Sequence, residues 1–312
     1  METNEVRQAV VVGAGVMGHS IAQVFAQYGI EVGLVDLSDK ELKRAMHLIR
    51  NNLQVLADFG RVPRDEIPSI IGRIHPSTDL AAASKGVDFA LEAVSEVAEV
   101  KKRVFAQLDE CCPDTVLASN TSGLDIFNFV EVKNPQKLLI THWFAPPHII
   151  PLVEIASGPE TADTTVDFAA ALMERLGKKV IVMQKYIPSF IVNKIQGAIG
   201  MAIYELITGE YATPEEIDLA VKYSLGIRLP IVGVVQTLDF TGLDLIYDVV
   251  KAAGVSYPYL EEKVRMGHLG AKTARGIYDY GGRSEEEILR KRDERYLKLL
   301  DFLQEINAFE PV

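Results

Sequence analysis

Residues 10–22, VVVGAGVMGHSIA, restrict the fold of this chain more than any other stretch. An apolar run stops at Gly13, and Gly15 and Gly18 follow in G-x-G-x-x-G spacing before a segment of helical periodicity. Strand, glycine turn and helix in that order open a βαβ unit of the dinucleotide-binding kind. The first glycine permits the tight turn, the second lets backbone approach a pyrophosphate, and the third lets the helix pack on the strand. Val16 and Met17 lie between them at the start of the helix, whose free N–H groups favour phosphate. The next apolar run, IEVGLVD (30–36), ends in Asp36, which suits adenosine ribose hydroxyls and repels a 2′-phosphate. These residues predict NAD rather than NADP. A purely structural glycine turn and a flavin site share the spacing and stand as alternatives.

The pattern continues through the first half. Strands are expected at 9–12, 30–36, 87–96, 114–122 and 137–144, with a long amphipathic helix over about 39–59. Such alternation predicts an α/β fold, a Rossmann-type doubly wound parallel sheet. Beyond MQKYIPSF (183–190) the periodicity turns helical, with no convincing strand before GIYDY. The expected domains are 1–185, binding the dinucleotide, and 186–312, all-helical, carrying substrate and dimerisation surfaces. The acidic and basic alternation of SEEEILRKRDERYLKLL reads as a solvated helix face.

With 48% apolar and 24% charged residues the chain is of globular composition, and its formal charge of −11 disfavours nucleic acid or an anionic membrane as partner. The two cysteines, Cys111 and Cys112, are adjacent and offer neither a disulfide framework nor metal spacing. Together with a start that lacks a signal-peptide pattern, they lead us to expect a cytoplasmic protein with no metal and no membrane span.

The stretch THWFAPPHIIPLVEI (141–155) holds the candidate chemistry. Removing a hydroxyl proton while hydride leaves the same carbon needs a base near neutral pKa, and a carboxylate is the usual orienting partner of histidine. Either His142 or His148 fits that role as far as residue type goes, with Glu154 as partner.

The landmarks GAGVMG, EAVSE, SNTSGL, HWF…PLVEI, FIVNKI, TGLD and KTARGIYDY run over nearly the full length, and through them the chain resembles the 3-hydroxyacyl-CoA dehydrogenases. The resemblance implies hydride transfer from a β-hydroxyl carbon to NAD, a place in fatty acid metabolism and a homodimer built on the helical domain. It makes His142 the general base and Glu154 its partner, twelve positions on. It gives Ser122 and Asn193 to the substrate oxygen, and Glu96, Lys101 and Asn120 to the nicotinamide end of the cofactor. It gives His148 no catalytic part, which leaves it a structural or pocket-edge role. Competing structural roles are an N-cap for Ser122, a bond to a neighbouring helix for Asn193 and an ion pair for Arg228.

The substrate is where the chain departs from the family pattern. The segment QVLADFGRVPRDEIPSIIGRI offers Arg61, Arg64 and Arg73 in place of the family's lysines that meet the phosphates of CoA. Ala145 replaces the asparagine three residues after the base, and Ala274 replaces a glycine. PPHIIPLVE and GIRLPIVG are similar to relatives that handle small free carboxylates, such as carnitine, gulonate or a pyridine carboxylate. There Arg228 would clamp the substrate carboxylate. Two small-molecule substrates therefore stand: a short-chain 3-hydroxyacyl-CoA such as 3-hydroxybutyryl-CoA, and a free 3-hydroxy carboxylate. An NAD-binding protein without catalysis is the reading from another class, opposed by the presence of both His142 and Glu154.

Overall fold

The computed structural model describes residues 6–310, in two compact units that run through Ala198 and from Ile199 onward. The first unit is built on β1 (Gln8–Val12), α1 (Gly18–Gln27), β2 (Glu31–Val35), α2 (Asp39–Asp58), α3 (Ile67–Gly72), β3 (Ile74–Ser77), α4 (Leu80–Ala83) and β4 (Phe89–Glu92). It continues with α5 (Ala98–Cys111), β5 (Val116–Ser119), β6 (Leu138–Trp143), β7 (Leu152–Ser157), α6 (Asp163–Arg175) and β8 (Lys179–Val182). The strands form one sheet in the order β3-β2-β1-β4-β5-β6-β7-β8, with the reversal of a doubly wound fold between β1 and β4.

The five expected strands are present, and three more join them. β3, IHPS, is an edge strand whose His75 and Pro76 break the apolar signal. β7 carries a glutamate in its centre, and β8, at the other edge, is mostly exposed. The sheet is also not wholly parallel: β6 and β7 are antiparallel. Only residues 144–151 join these two strands, and a parallel crossover needs a dozen or more. That short link matters for the site, because it places His142 opposite Glu154.

Burial follows the pattern of a sheet covered on both faces. Val10, Val11, Phe89, Leu91, Ala118 and Ile140 are fully buried, and Phe25, Trp143, Leu53 and Ile49 fill the layer beneath α1 and α2. Ser38 caps α2 by accepting from Glu41 N–H.

Chain passes to the second unit along α7 (Val192–Thr208). That unit holds α8 (Pro214–Lys222), α9 (Leu225–Thr241), α10 (Leu243–Ala252), α11 (Pro258–Arg265) and α12 (Glu285–Glu305), and no strand of the sheet. GIYDY forms a bridged turn instead of a strand, because Asp239 holds it: the buried carboxylate accepts from Ile277 N–H (2.8 Å), Tyr278 N–H (2.9 Å) and the Tyr280 hydroxyl (3.1 Å). Among the described residues no single helix is long and apolar enough to cross a membrane.

Ala274 closes the short turn before GIYDY with φ of 55°, in the left-handed region. A Cβ there costs about 1–2 kcal/mol, less the entropy that glycine loses on folding. Ala274→Gly is therefore expected to stabilise the protein by about 0.5–1 kcal/mol in urea denaturation. An unchanged or lower midpoint would mean that this backbone conformation is not held in solution.

Candidate active site

The sheet register brings His142 and Glu154 together. They are direct partners in the β6–β7 pair, so a separation of twelve in sequence becomes contact across the two strands. His142 Nδ1 lies 2.9 Å from Glu154 Oε2, with the two side chains 3% and 0% exposed. A carboxylate can only accept, so Nδ1 carries the hydrogen and Nε2 presents its lone pair. The second oxygen of Glu154 accepts from Ile191 N–H (3.2 Å) and Val192 N–H (3.1 Å), at the start of α7. A helix N-terminus favours the anionic carboxylate that orients the ring. Phe144 and Phe190 wall the imidazole, with ring centres 4.5 and 4.8 Å away.

Asn193, one residue into α7, faces the other nitrogen. Its Nδ2 lies 3.4 Å from His142 Nε2 and donates to the Ser122 carbonyl at 3.2 Å. The four residues expected to be catalytic, His142, Glu154, Asn193 and Ser122, thus converge. Ser122 is not the N-cap of a helix at Gly123, since the next helical turn is a 3-10 turn at Ile126–Asn128. The turn is held by Glu96, whose Oε1 accepts from the Thr121 hydroxyl and from Ser122 N–H (2.8 Å) and Gly123 N–H (3.1 Å). Burial opposes its ionisation, but the Thr121 hydroxyl, Lys101 and the Ser122 N–H outweigh burial and hold the carboxyl below its ordinary range.

Lys101 stands behind that glutamate rather than beside it. Its side chain is wholly buried, and Nζ donates to Glu92 Oε1 and Oε2 (2.7 and 2.9 Å) and pairs with Glu96 Oε2 (3.2 Å). It therefore acts by holding Glu96 and offers no ammonium of its own to a ligand. Glu92, at the end of β4, also accepts from the Ser119 hydroxyl (2.6 Å) and Val94 N–H (2.8 Å). Sequence reading missed Glu92, though a charge closing the apolar run FALE was a usable signal. Asn120 follows Ser119 and fastens β5 to β6 by accepting from Trp143 N–H at 2.9 Å.

The glycine turn forms the second part. Gly13, with φ of 105°, has no room for a Cβ, which would meet the Ala93 carbonyl oxygen at 2.5 Å. At Gly18 a Cβ would lie 1.7 Å from the Gly13 oxygen, whereas at Gly15 it would meet open space. Val16 is exposed and Met17 half-buried on the rim above α1. A cavity of about 750 Å³ runs from Gly13 and Gly15 past Asp36 to Asp79 and Gln107. Asp36 is oriented by Ala14 N–H (2.9 Å) and Ser38 N–H (3.2 Å). No lysine or arginine lines this cavity, and three carboxylates do, Asp36, Asp79 and Glu110. Open space at Gly15, a carboxylate held at the end of β2 and a lining without a cation for a 2′-phosphate fit NAD.

His148 makes its bonds elsewhere than at His142. Its N–H and Nδ1 both engage the Ser20 hydroxyl, at 3.0 and 2.8 Å. Burial first, then the charges of His19 and Lys178, hold its pKa below the ordinary value. Lys178, pushed down to about 8 by burial, donates to the carbonyls of Pro147 and Ile150 and so pins the proline turn. Neither Ser20 nor Lys178 carried a sequence signal. Arg228 belongs to the second unit, on α9, where Nη2 donates to Ser224 Oγ at 2.9 Å.

Fold and cradle together define an NAD-dependent dehydrogenase acting on CH–OH. Residues 8–186 match the model of the 3-hydroxyacyl-CoA dehydrogenase NAD binding domain, and residues 190–280 that of the C-terminal domain. The chain belongs to the 3-hydroxyacyl-CoA dehydrogenase family. It is 34% identical over 287 residues to a probable 3-hydroxybutyryl-CoA dehydrogenase of Bacillus subtilis, covering 88% of this chain and 98% of that protein. It is 28% identical over 305 residues to the 5-formyl-3-hydroxy-2-methylpyridine 4-carboxylate 5-dehydrogenase of Mesorhizobium japonicum, covering 95% and 96%. The solved 3-hydroxyacyl-CoA dehydrogenase of Archaeoglobus fulgidus superposes with a TM-score of 0.78 at 30% identity, over 96% of this chain and 99% of that one.

Proposed function

We propose that the chain oxidises the β-hydroxyl of a short-chain 3-hydroxyacyl-CoA, such as 3-hydroxybutyryl-CoA, to the ketone, with His142 as general base. The observation that carries this reading is the buried 2.9 Å contact between His142 Nδ1 and Glu154 Oε2. With Nδ1–H committed to Glu154, the Nε2 lone pair takes the hydroxyl proton, and Glu154 stabilises the imidazolium that results. NAD, when bound, accepts the hydride that leaves the same carbon. Ser122 and Asn193 position the substrate oxygen beside Nε2. Gly13, Gly15, Val16, Met17, Gly18 and Asp36 hold the dinucleotide, and Glu96 and Asn120, with Lys101 behind Glu96, shape its nicotinamide end. In the reductive direction the imidazolium returns the proton. The exposed apolar side chains of α7, among them Met201 and Tyr204, support self-association through the helical unit. The free thiols of Cys111 and Cys112 support a cytoplasmic setting.

A second reading, the same reaction on a small free 3-hydroxy carboxylate, is favoured by Ala145 beside the base and by similarity to the pyridine carboxylate dehydrogenase over 95% of the chain. Here Arg228 would receive the carboxylate. Initial rates of NADH formation separate the two. The first reading expects turnover of 3-hydroxybutyryl-CoA that Arg228→Ala leaves intact. The second expects turnover of free 3-hydroxy acids, carnitine or gulonate, with KM raised by about 10- to 100-fold in Arg228→Ala, the loss of a charged hydrogen-bonded pair.

A further inference from the structure

Helix α12 packs on α9 through a stripe in which Ile288 is buried and Leu299 and Leu303 are half-buried. The positions that complete the stripe, 292 and 295, are both arginine, and Lys291 lies beside them. Lys291 and Arg295 are exposed to solvent and Arg292 is half-buried, so this charged face is not sealed against α9. These cations border a cavity of about 180 Å³, lined also by Gln236, Tyr280 and Arg283. Four like charges around so small a space repel one another, in a chain whose net charge is −11.

Compensation reaches only one of the four. Arg292 pairs with Asp293 at 2.7 Å and lies over the rings of Phe240 and Tyr296. Among the described residues, no carboxylate oxygen lies within 4.0 Å of the charged nitrogens of Arg283, Lys291 or Arg295. Two acids of the same helix are committed elsewhere, Glu287 to the Ser284 N–H and Glu294 to Arg290. Arg283 uses Nε on the Tyr280 carbonyl (2.7 Å). All four cations follow residue 280, where the match to the family's C-terminal domain ends.

We propose that this cavity binds a small oxyanion of phosphate type, free or as the phosphoryl group of a small molecule. Guanidinium forks and an ammonium supply charge-assisted hydrogen bonds to several oxygens of one tetrahedral anion. The volume lies below that of pockets for drug-sized ligands, so only the anionic group enters.

The test is thermal denaturation of the full chain with saturating NAD, which occupies the glycine turn. Inorganic phosphate, pyrophosphate and glycerol phosphate are titrated against sodium chloride of equal ionic strength. Phosphate is expected to raise Tm saturably, by about 5 °C at a hundred times Kd. The double variant Lys291→Gln/Arg295→Gln, and separately Arg283→Gln, should lose this response while keeping wild-type turnover. Broadening of the phosphorus NMR line by wild type and not by the variants reads binding without unfolding. A stronger response to glycerol phosphate than to free phosphate would identify a phosphoryl-bearing molecule as the source. An equal response to chloride, or a phosphate response retained in both variants, would overturn the proposal. So would a double variant that is more stable than wild type and matches it in the phosphate titration, since the cations would then only repel.

Discussion

His142→Ala is expected to lower kcat by about 100- to 10,000-fold and to leave the affinity for NAD essentially unchanged. The size of the effect follows from the proposed role, in which Nε2 takes the hydroxyl proton while Asn193 turns its Nδ2 donor towards that atom. Affinity for the cofactor is spared because the glycine turn and Asp36 lie on β1, α1 and the end of β2, and do not depend on the imidazole. Stopped-flow or steady-state assays with fluorescence titration of NADH give both quantities. Normal turnover in His142→Ala would remove the histidine from the mechanism, and a parallel loss of NADH binding would make its role structural. Glu154→Gln should retain the fold and lose less, because an amide still bonds Nδ1–H but no longer stabilises imidazolium.

Lys101→Met should destabilise the protein by about 3–5 kcal/mol, the loss expected when one partner of a buried pair is removed. The residue left behind explains the magnitude. Glu92 is fully buried, and without the ammonium it keeps only the Ser119 hydroxyl and Val94 N–H as donors. The double variant Lys101→Met/Glu92→Gln is expected to recover much of the loss, because no unpaired charge then remains inside. Urea denaturation measures both. If Lys101→Met alone unfolds at the wild-type midpoint, the buried Lys101–Glu92 pair contributes nothing. Since Glu96 also loses its partner, the turn at Thr121–Leu124 should loosen, and amide exchange at Ser122 and Gly123 should quicken.

Much of the fold was legible in sequence because its information is local. The run AVVV, the glycine turn and the helical spacing after it name a βαβ unit without reference to any distant residue. Strands β3, β7 and β8 were not legible for the same reason. Two are edges with little buried surface, and the third hides a catalytic-type glutamate that breaks its apolar pattern. At the candidate site, His142 and Glu154 could be paired from their spacing once the family resemblance was seen. The spacing has its cause in the short link at 144–151, which forces an antiparallel pair.

By itself the sequence determined the dinucleotide fold, NAD as cofactor and the residues that gather about the base. Fold and cofactor rest on periodicity and on a motif whose members lie close along the chain, whereas Ser122, His142, Glu154 and Asn193 were given their parts by the family resemblance. Tertiary structure alone decided where the charges end. It buried Lys101 between Glu92 and Glu96, tied His148 to Ser20, and set Asp239 beneath GIYDY. It left the charged face of α12 largely exposed, as read, and set four of the nearby cations around one small cavity. A charge is worth little in water and much in a packed interior, and only the packing of distant elements settles which of those surroundings a residue meets.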